Sequence, residues 1–220
     1  MESIPTPTHR GALLLAAFFA ALAFAAVAPA QELQEGKQYV RLKNPAPTEA
    51  GKKIEVIEFF SYGCPHCADL EPEMQKWLPT LPADVQFRRV PVMFQDRWVV
   101  LAKVFYTLDA LGEEHRLSPE VFAAIHKSNA NLASEKTFFD WAAGKGLDRK
   151  KVEDMYNSFA IAGKINKAKA EAQQYNVQSV PMVVVDGKFM TATDKVGTHA
   201  ALPSAINALV VKARAERPKS

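Results

Sequence analysis

Val56-Ile57-Glu58-Phe59-Phe60-Ser61-Tyr62-Gly63-Cys64-Pro65-His66-Cys67-Ala68-Asp69-Leu70-Glu71 is the stretch that decides the fold of this 220-residue chain. The strand pattern begins at Lys53 and ends at Phe60. Ile54, Val56 and Phe60 face one way, Ile57 and Phe59 the other, so both faces are apolar. A strand of that kind lies inside a sheet covered on both sides. Glu58 breaks the pattern on the Val56/Phe60 face, which predicts a buried or half-buried carboxylate. Ser61-Tyr62-Gly63 then turns the chain. Pro65 suits the first position of a helix, where its missing N–H would have no partner anyway. Cys67, Leu70, Met74, Trp77 and Leu78 recur at helical steps. That spacing predicts Cys67 on the buried face and Cys64 at the exposed helix start. Pro72 is expected to kink this helix.

Cys64 and Cys67 are the chain's only cysteines. A staple between them would close a minimal loop and remove little entropy from the unfolded chain. A domain of this size does not need one. The pair therefore points to chemistry, with a structural disulfide as the alternative. A single Cys-x-x-Cys is a poor zinc set, and haem attachment would need a histidine where Ala68 stands. No metal and no cofactor is expected.

Outward from this stretch, Lys37–Arg41 reads as a short edge strand and Val85–Met93 as a second central one. The strand–helix–strand order implies a parallel pair. From Phe94 to Phe159 the signal is helical only. One helix covers Val99–Leu111, one starts at Ser118-Pro119-Glu120, one is capped by Ser134 and one by Asp148. A charged helix follows over Ala160–Tyr175. Asn176 to Pro181 leads into an apolar strand, Met182–Val185, and Asp186-Gly187 is a hairpin signal with a return strand over Lys188–Thr191. Leu202 to about Ala215 forms a last helix.

The first thirty residues read as a secretory signal peptide. Gly11–Val27 is unbroken apolar sequence, and Ala28-Pro29-Ala30 offers small residues to a peptidase. An uncleaved membrane anchor is the competing reading. The formal charge is only +3, with basic and acidic residues interspersed. Nothing suggests nucleic-acid binding.

Cys64-Pro65-His66-Cys67 after a buried strand, and Val180-Pro181 before a strand and an Asp-Gly hairpin, resemble the thioredoxin superfamily. The four-helix insertion and the Pro-His dipeptide make the chain similar to its DsbA-type branch of exported disulfide oxidants, from about Lys37 to Ala215. The resemblance implies an α/β, thioredoxin-like fold split into 31–93 and 160–220, with a helical insertion at 94–159. It implies a thiol:disulfide oxidoreductase, located in the periplasm, that donates a Cys64–Cys67 disulfide to newly exported polypeptides. A quinone-linked membrane partner of the DsbB type would reoxidise it. Nothing suggests an obligate dimer.

The chemistry of the residues agrees. Exchange needs a thiolate, and backbone N–H groups at a helix start favour one at Cys64. His66 adds a donor or a positive charge, and Cys67 is the resolving partner. Cys64 is expected to alkylate well below neutral pH while Cys67 stays slow. By resemblance, Pro181 is the cis proline facing the disulfide, and Val180 presents its backbone to an extended substrate. Tyr62, Val180 and Met182 are expected to add apolar surface for unfolded substrates. Glu58 resembles the buried acid that moves protons beneath the disulfide. Arg89 departs from the lysine often found near this acid, and it would hold Glu58 ionised and weaken that role. Glu71 is a second candidate for local electrostatics. His115, His126 and His199 read as ordinary surface residues. Three other functions compete: an isomerase or reductase kept reduced, a redox-inert binding module, and a metallochaperone.

Overall fold

A computed structural model describes residue 1 and residues 33–218. The signal-peptide expectation lies outside the described residues. The chain runs β1 (Val40–Arg41), β2 (Ile54–Phe60), α1 (Pro65–Trp77), β3 (Val85–Pro91), α2 (Asp96–Ala110), α3 (Glu114–His126), α4 (Glu135–Gly144), α5 (Arg149–Tyr156), α6 (Phe159–Gln174), β4 (Met182–Val185), β5 (Phe189–Ala192), α7 (Thr193–Val196) and α8 (Leu202–Glu216).

The five strands form one sheet in the order β1-β5-β4-β2-β3. β2 pairs parallel with β3 and antiparallel with β4. All seven of its residues are buried, as its two apolar faces require. Ile54 and Val56 join Leu70, Met74 and Trp77 of α1 and Leu209 of α8 in one core. Ile57 and Phe59 join Ala168 of α6 and Val184 of β4 in another. Phe60, at the end of the strand, reaches into a third core built with α2–α5. The Ser61–Gly63 turn therefore leaves the sheet where it meets the helices.

Local chemistry sets the helix ends. Ser134, Asp148 and Ser158 accept hydrogen bonds from the backbone N–H three residues on, capping α4, α5 and α6. Asp186 and Gly187 both adopt positive φ, 54° and 63°, in the β4–β5 turn. At Gly187 a side chain is also excluded by space, since a Cβ would lie 2.1 Å from the Ala46 carbonyl oxygen.

One helix start changes. α3 begins at Glu114, not at Ser118, and runs through Pro119. Ser118 is buried inside the helix, where its hydroxyl donates to Glu114 Oε1 at 2.8 Å. A serine bonded back to its own helix has no need to cap one. α1 runs through Pro72 and ends at Trp77, just before the Leu78–Pro82 stretch expected to stop it.

Candidate active site

Cys64 is the N-cap of α1, with Pro65 at the first helical position. Its thiol faces the carbonyl oxygen of Val180, 3.5 Å away, across a Val180–Pro181 peptide bond that is cis. The expected pairing of Cys64 with the residue-180 loop is thus met in space, 116 positions apart in sequence. Cys67 is buried one turn into the helix. His66 is exposed beside the pair.

Cys64 is not at an exposed helix start, as the sequence suggested. It is 6% accessible, because the Val180 segment lies over it and both cysteines join the core of the insertion. The two thiols nevertheless differ in acidity. The Cys64 thiol is lowered to about 6, first by a hydrogen bond from Cys67, then by the backbone N–H groups of Cys67 and His66 and the charge of His66, against the opposing effect of burial. Burial, the Cys64 sulfur and the negative charge of Glu58 push Cys67 well up. The groups at the helix start thus stabilise an anion on one sulfur, while burial and neighbouring negative charge oppose one on the other.

Beneath the pair lies a buried ionic cluster. Glu58 on β2 sits opposite Arg89 on β3 and accepts from its Nε at 2.8 Å. Arg89 also donates to Glu71 of α1 at 2.5 Å and to Glu114 of α3 at 3.1 Å. One cation thus serves three carboxylates. Arg89, Glu58 and Glu71 side chains are all 5% accessible or less. Burial raises the Glu71 carboxyl to about 7, aided by the charges of Glu58 and Glu114 and opposed by Arg89.

Glu71 is therefore not a solvated helix residue. The signal was present in the sequence: it lies four positions after Cys67, on the stripe that continues to Met74. Tyr62 is also displaced from its expected role. It is 1% accessible and offers no apolar surface to a substrate. Its ring packs edge-on against Phe60 and Phe122, and its hydroxyl lies 2.6 Å from Ser118 Oγ. A buried phenol needs such a partner. Met182 is likewise buried, whereas Val180 is partly accessible.

His126 is not an ordinary surface histidine. It is partly buried, and its Nε2 lies 2.7 Å from the Tyr62 carbonyl oxygen. Its place four residues after buried Phe122 was the available signal. Among the described residues, one group has side-chain types and spacing suited to a metal: His66, Asp69 and His199, with ligand atoms within 4.8 Å of one another. His66 and Asp69 are exposed, and a surface set this open is a weak cage.

A mixed sheet with a helical insertion, a dithiol at a helix start and a cis proline against it define a thioredoxin-like thiol:disulfide oxidoreductase. The sequence matches the DSBA-like thioredoxin domain over residues 55–201, and the chain belongs to that family. It is 44% identical over 180 residues to the thiol:disulfide interchange protein DsbA of Pseudomonas aeruginosa, covering 82% of this chain and 85% of that one. It is 38% identical to the Bordetella parapertussis protein of the same name, covering 92% and 96%. The crystal structure of Pseudomonas aeruginosa DsbA superposes with a TM-score of 0.80 at 43% identity, covering 83% of this chain and 95% of that one. The oxidoreductase NmDsbA1 from Neisseria meningitidis gives 0.75 at 28% identity, covering 84% and 96%.

Proposed function

We propose that Cys64 and Cys67 form the disulfide that is donated, and that the recipients are reduced polypeptides newly exported to the periplasm. A substrate thiolate attacks Cys64 Sγ. The S–S bond breaks, and Cys67 leaves and takes up a proton. A second substrate thiolate then attacks the substrate sulfur of the mixed disulfide and expels Cys64 as a thiolate. The protein gains two electrons, and the substrate loses them as its own disulfide forms. The observation that carries this reading is the geometry of the pair, with Cys64 capping α1 against the Val180 carbonyl and Cys67 buried a turn further on, and the acidities follow it. Cys64, lowered to about 6, is a good leaving group at neutral pH, while Cys67 holds its proton.

The roles of the neighbours follow. His66 and the α1 N–H groups favour the Cys64 thiolate. Val180 and Pro181 present backbone to an extended substrate beside the sulfur. Burial and the Cys64 sulfur keep Cys67 protonated, with the negative charge of Glu58 adding to them. The proton that Cys67 takes up comes from the Arg89 cluster, and Glu71 is the group in it whose titration falls near neutral pH. Glu58, ion-paired with Arg89, was the acid the resemblance suggested for this role; Glu71 is the one whose titration suits it. Outside the catalytic step, we infer export by a cleaved signal at 1–30, a division into 31–93 plus 160–220 and an insertion at 94–159, action as a monomer, and reoxidation by a DsbB-type membrane protein. No helix among the described residues is long and apolar enough to cross a membrane.

Equilibration with glutathione tests the direction of transfer. A strong oxidant is reduced by a small excess of reduced over oxidised glutathione, because stabilising the Cys64 thiolate stabilises the dithiol. A disulfide that survives a large excess would sink the donor reading and favour a reductase. Cys64→Ala should abolish oxidation of a reduced test protein; full activity would point to a redox-inert binding module.

A further inference from the structure

The helices of the insertion hold the turn before Cys64 from several sides. On α2, Trp98 lies so close to Gly63 that a Cβ there would be 2.5 Å from the indole nitrogen. On α3, Ser118 meets the Tyr62 hydroxyl at 2.6 Å. Two helical turns further along α3, His126 Nε2 meets the Tyr62 carbonyl at 2.7 Å. A carbonyl oxygen only accepts, so this ring nitrogen carries a proton and donates. The N–H of the same peptide unit, on Gly63, donates to Ser61 Oγ at 3.1 Å. The Tyr62–Gly63 peptide is therefore pinned at both of its polar atoms. One residue later, Cys64 N–H closes the turn onto the Ser61 carbonyl at 3.0 Å.

This peptide plane fixes how the chain enters α1. The entry direction fixes where the N–H groups of His66 and Cys67 point, and those groups help to lower the Cys64 thiol. Of the two side chains pinning the peptide, Ser61 belongs to the turn itself. His126 comes from the insertion, 64 residues away, and sits beside a cleft of about 400 Å³ that Pro65, Trp98 and Arg97 also line.

We propose that His126 is a positioning residue for thiol–disulfide exchange. By holding the Tyr62 carbonyl it aims the start of α1 at the Cys64 sulfur, and so sets the balance between dithiol and disulfide. The proposal rests on Cys64 being the reacting sulfur.

His126→Phe keeps the ring contact with Phe122 and removes the donor, whereas His126→Gln keeps a donor. Thiolate absorbance against pH and the glutathione equilibrium are read on both variants, with thermal melting as the check on folding. In His126→Phe the Cys64 midpoint should rise, and the equilibrium should move about fivefold toward the disulfide, the effect of one lost hydrogen bond. His126→Gln should stay within about twofold of the parent. Unchanged values in a folded His126→Phe overturn the proposal, as do equal shifts in both variants. If His126→Phe does not fold, His126→Asn, too short to reach the carbonyl, replaces it under the same criteria. Residual exchange activity in Cys64→Ala would instead locate the failure in the choice of sulfur.

Discussion

Arg88 and Arg89 are neighbours on β3, and they face opposite sides of the sheet. Arg88 pairs with Glu55 of β2 and Glu171 of α6. Arg89 pairs with Glu58, Glu71 and Glu114. With every carboxyl ionised, the first cluster carries 1 − 2 = −1 and the second 1 − 3 = −2. The extra carboxylate decides what each can do. The Arg88 cluster carries one surplus charge on a partly accessible arginine, with Glu55 buried beside it, and it joins β2, β3 and α6. The Arg89 cluster is buried with a larger surplus, and the cheapest relief is to keep a proton. The group that keeps it, Glu71, lies one helical turn from Cys67. One side of the strand ties β2, β3 and α6 together; the other holds a buried carboxyl raised to about 7, one helical turn from Cys67.

Removing each cation in turn should break the comparison most sharply. Arg89→Met strands two buried carboxylates, Glu58 and Glu71, without their cation and should cost on the order of 4 kcal/mol at pH 8. The loss should shrink toward pH 5 as the carboxyls protonate. Arg88→Met, at a more accessible site, should cost about 2 kcal/mol and leave the glutathione equilibrium unchanged. Urea unfolding of both variants at the two pH values decides it. Equal costs with equal pH dependence would mean that the third carboxylate is irrelevant.

A smaller effect sharpens the proton assignment. Glu71 is raised from the ordinary carboxyl value to about 7, so the folded protein binds this proton more tightly than the unfolded chain. Its favourable contribution is therefore full at acid pH and is lost as pH rises through 7. Glu71→Gln removes that loss. Relative to the parent, it should gain on the order of 2 kcal/mol between pH 5 and pH 8. A parallel pair of stability–pH curves would place the titrating proton elsewhere. The smallest effect is at Tyr62→Phe. Deleting the hydroxyl breaks one buried bond to Ser118 and should cost about 1 kcal/mol, measured by thermal unfolding. A much larger cost would show that the Arg89 cluster extends through Glu114 and Ser118 to the active-site turn.

The sequence carried the frame of the site better than its lining. β2, Cys64, Cys67 and the Val180–Pro181 segment were legible because their signals are local: two apolar faces, a proline after a turn, an Asp-Gly hairpin. Arg89 facing Glu58 was legible through the resemblance alone. Tyr62 was misread because a tyrosine beside a glycine in a turn carries no mark of burial. Its hydroxyl partner is 56 residues away on α3, and only the packed insertion brings them together. Glu71 was a candidate for local electrostatics from the sequence, but its burial and its bond to Arg89 were not legible; His126, at helical spacing from buried Phe122, reads as solvent-facing until its partner is known.

Gly63 has a consequence for protein engineering. The space for its missing side chain is filled by Trp98, so the reactive loop and the insertion share one steric boundary. A chimera that grafts Ser61–Cys67 onto another thioredoxin scaffold, or that imports a foreign insertion here, must move positions 63 and 98 as a set. A bulky residue at 98 demands glycine at 63, and any larger residue at 63 demands that the indole be replaced by something small.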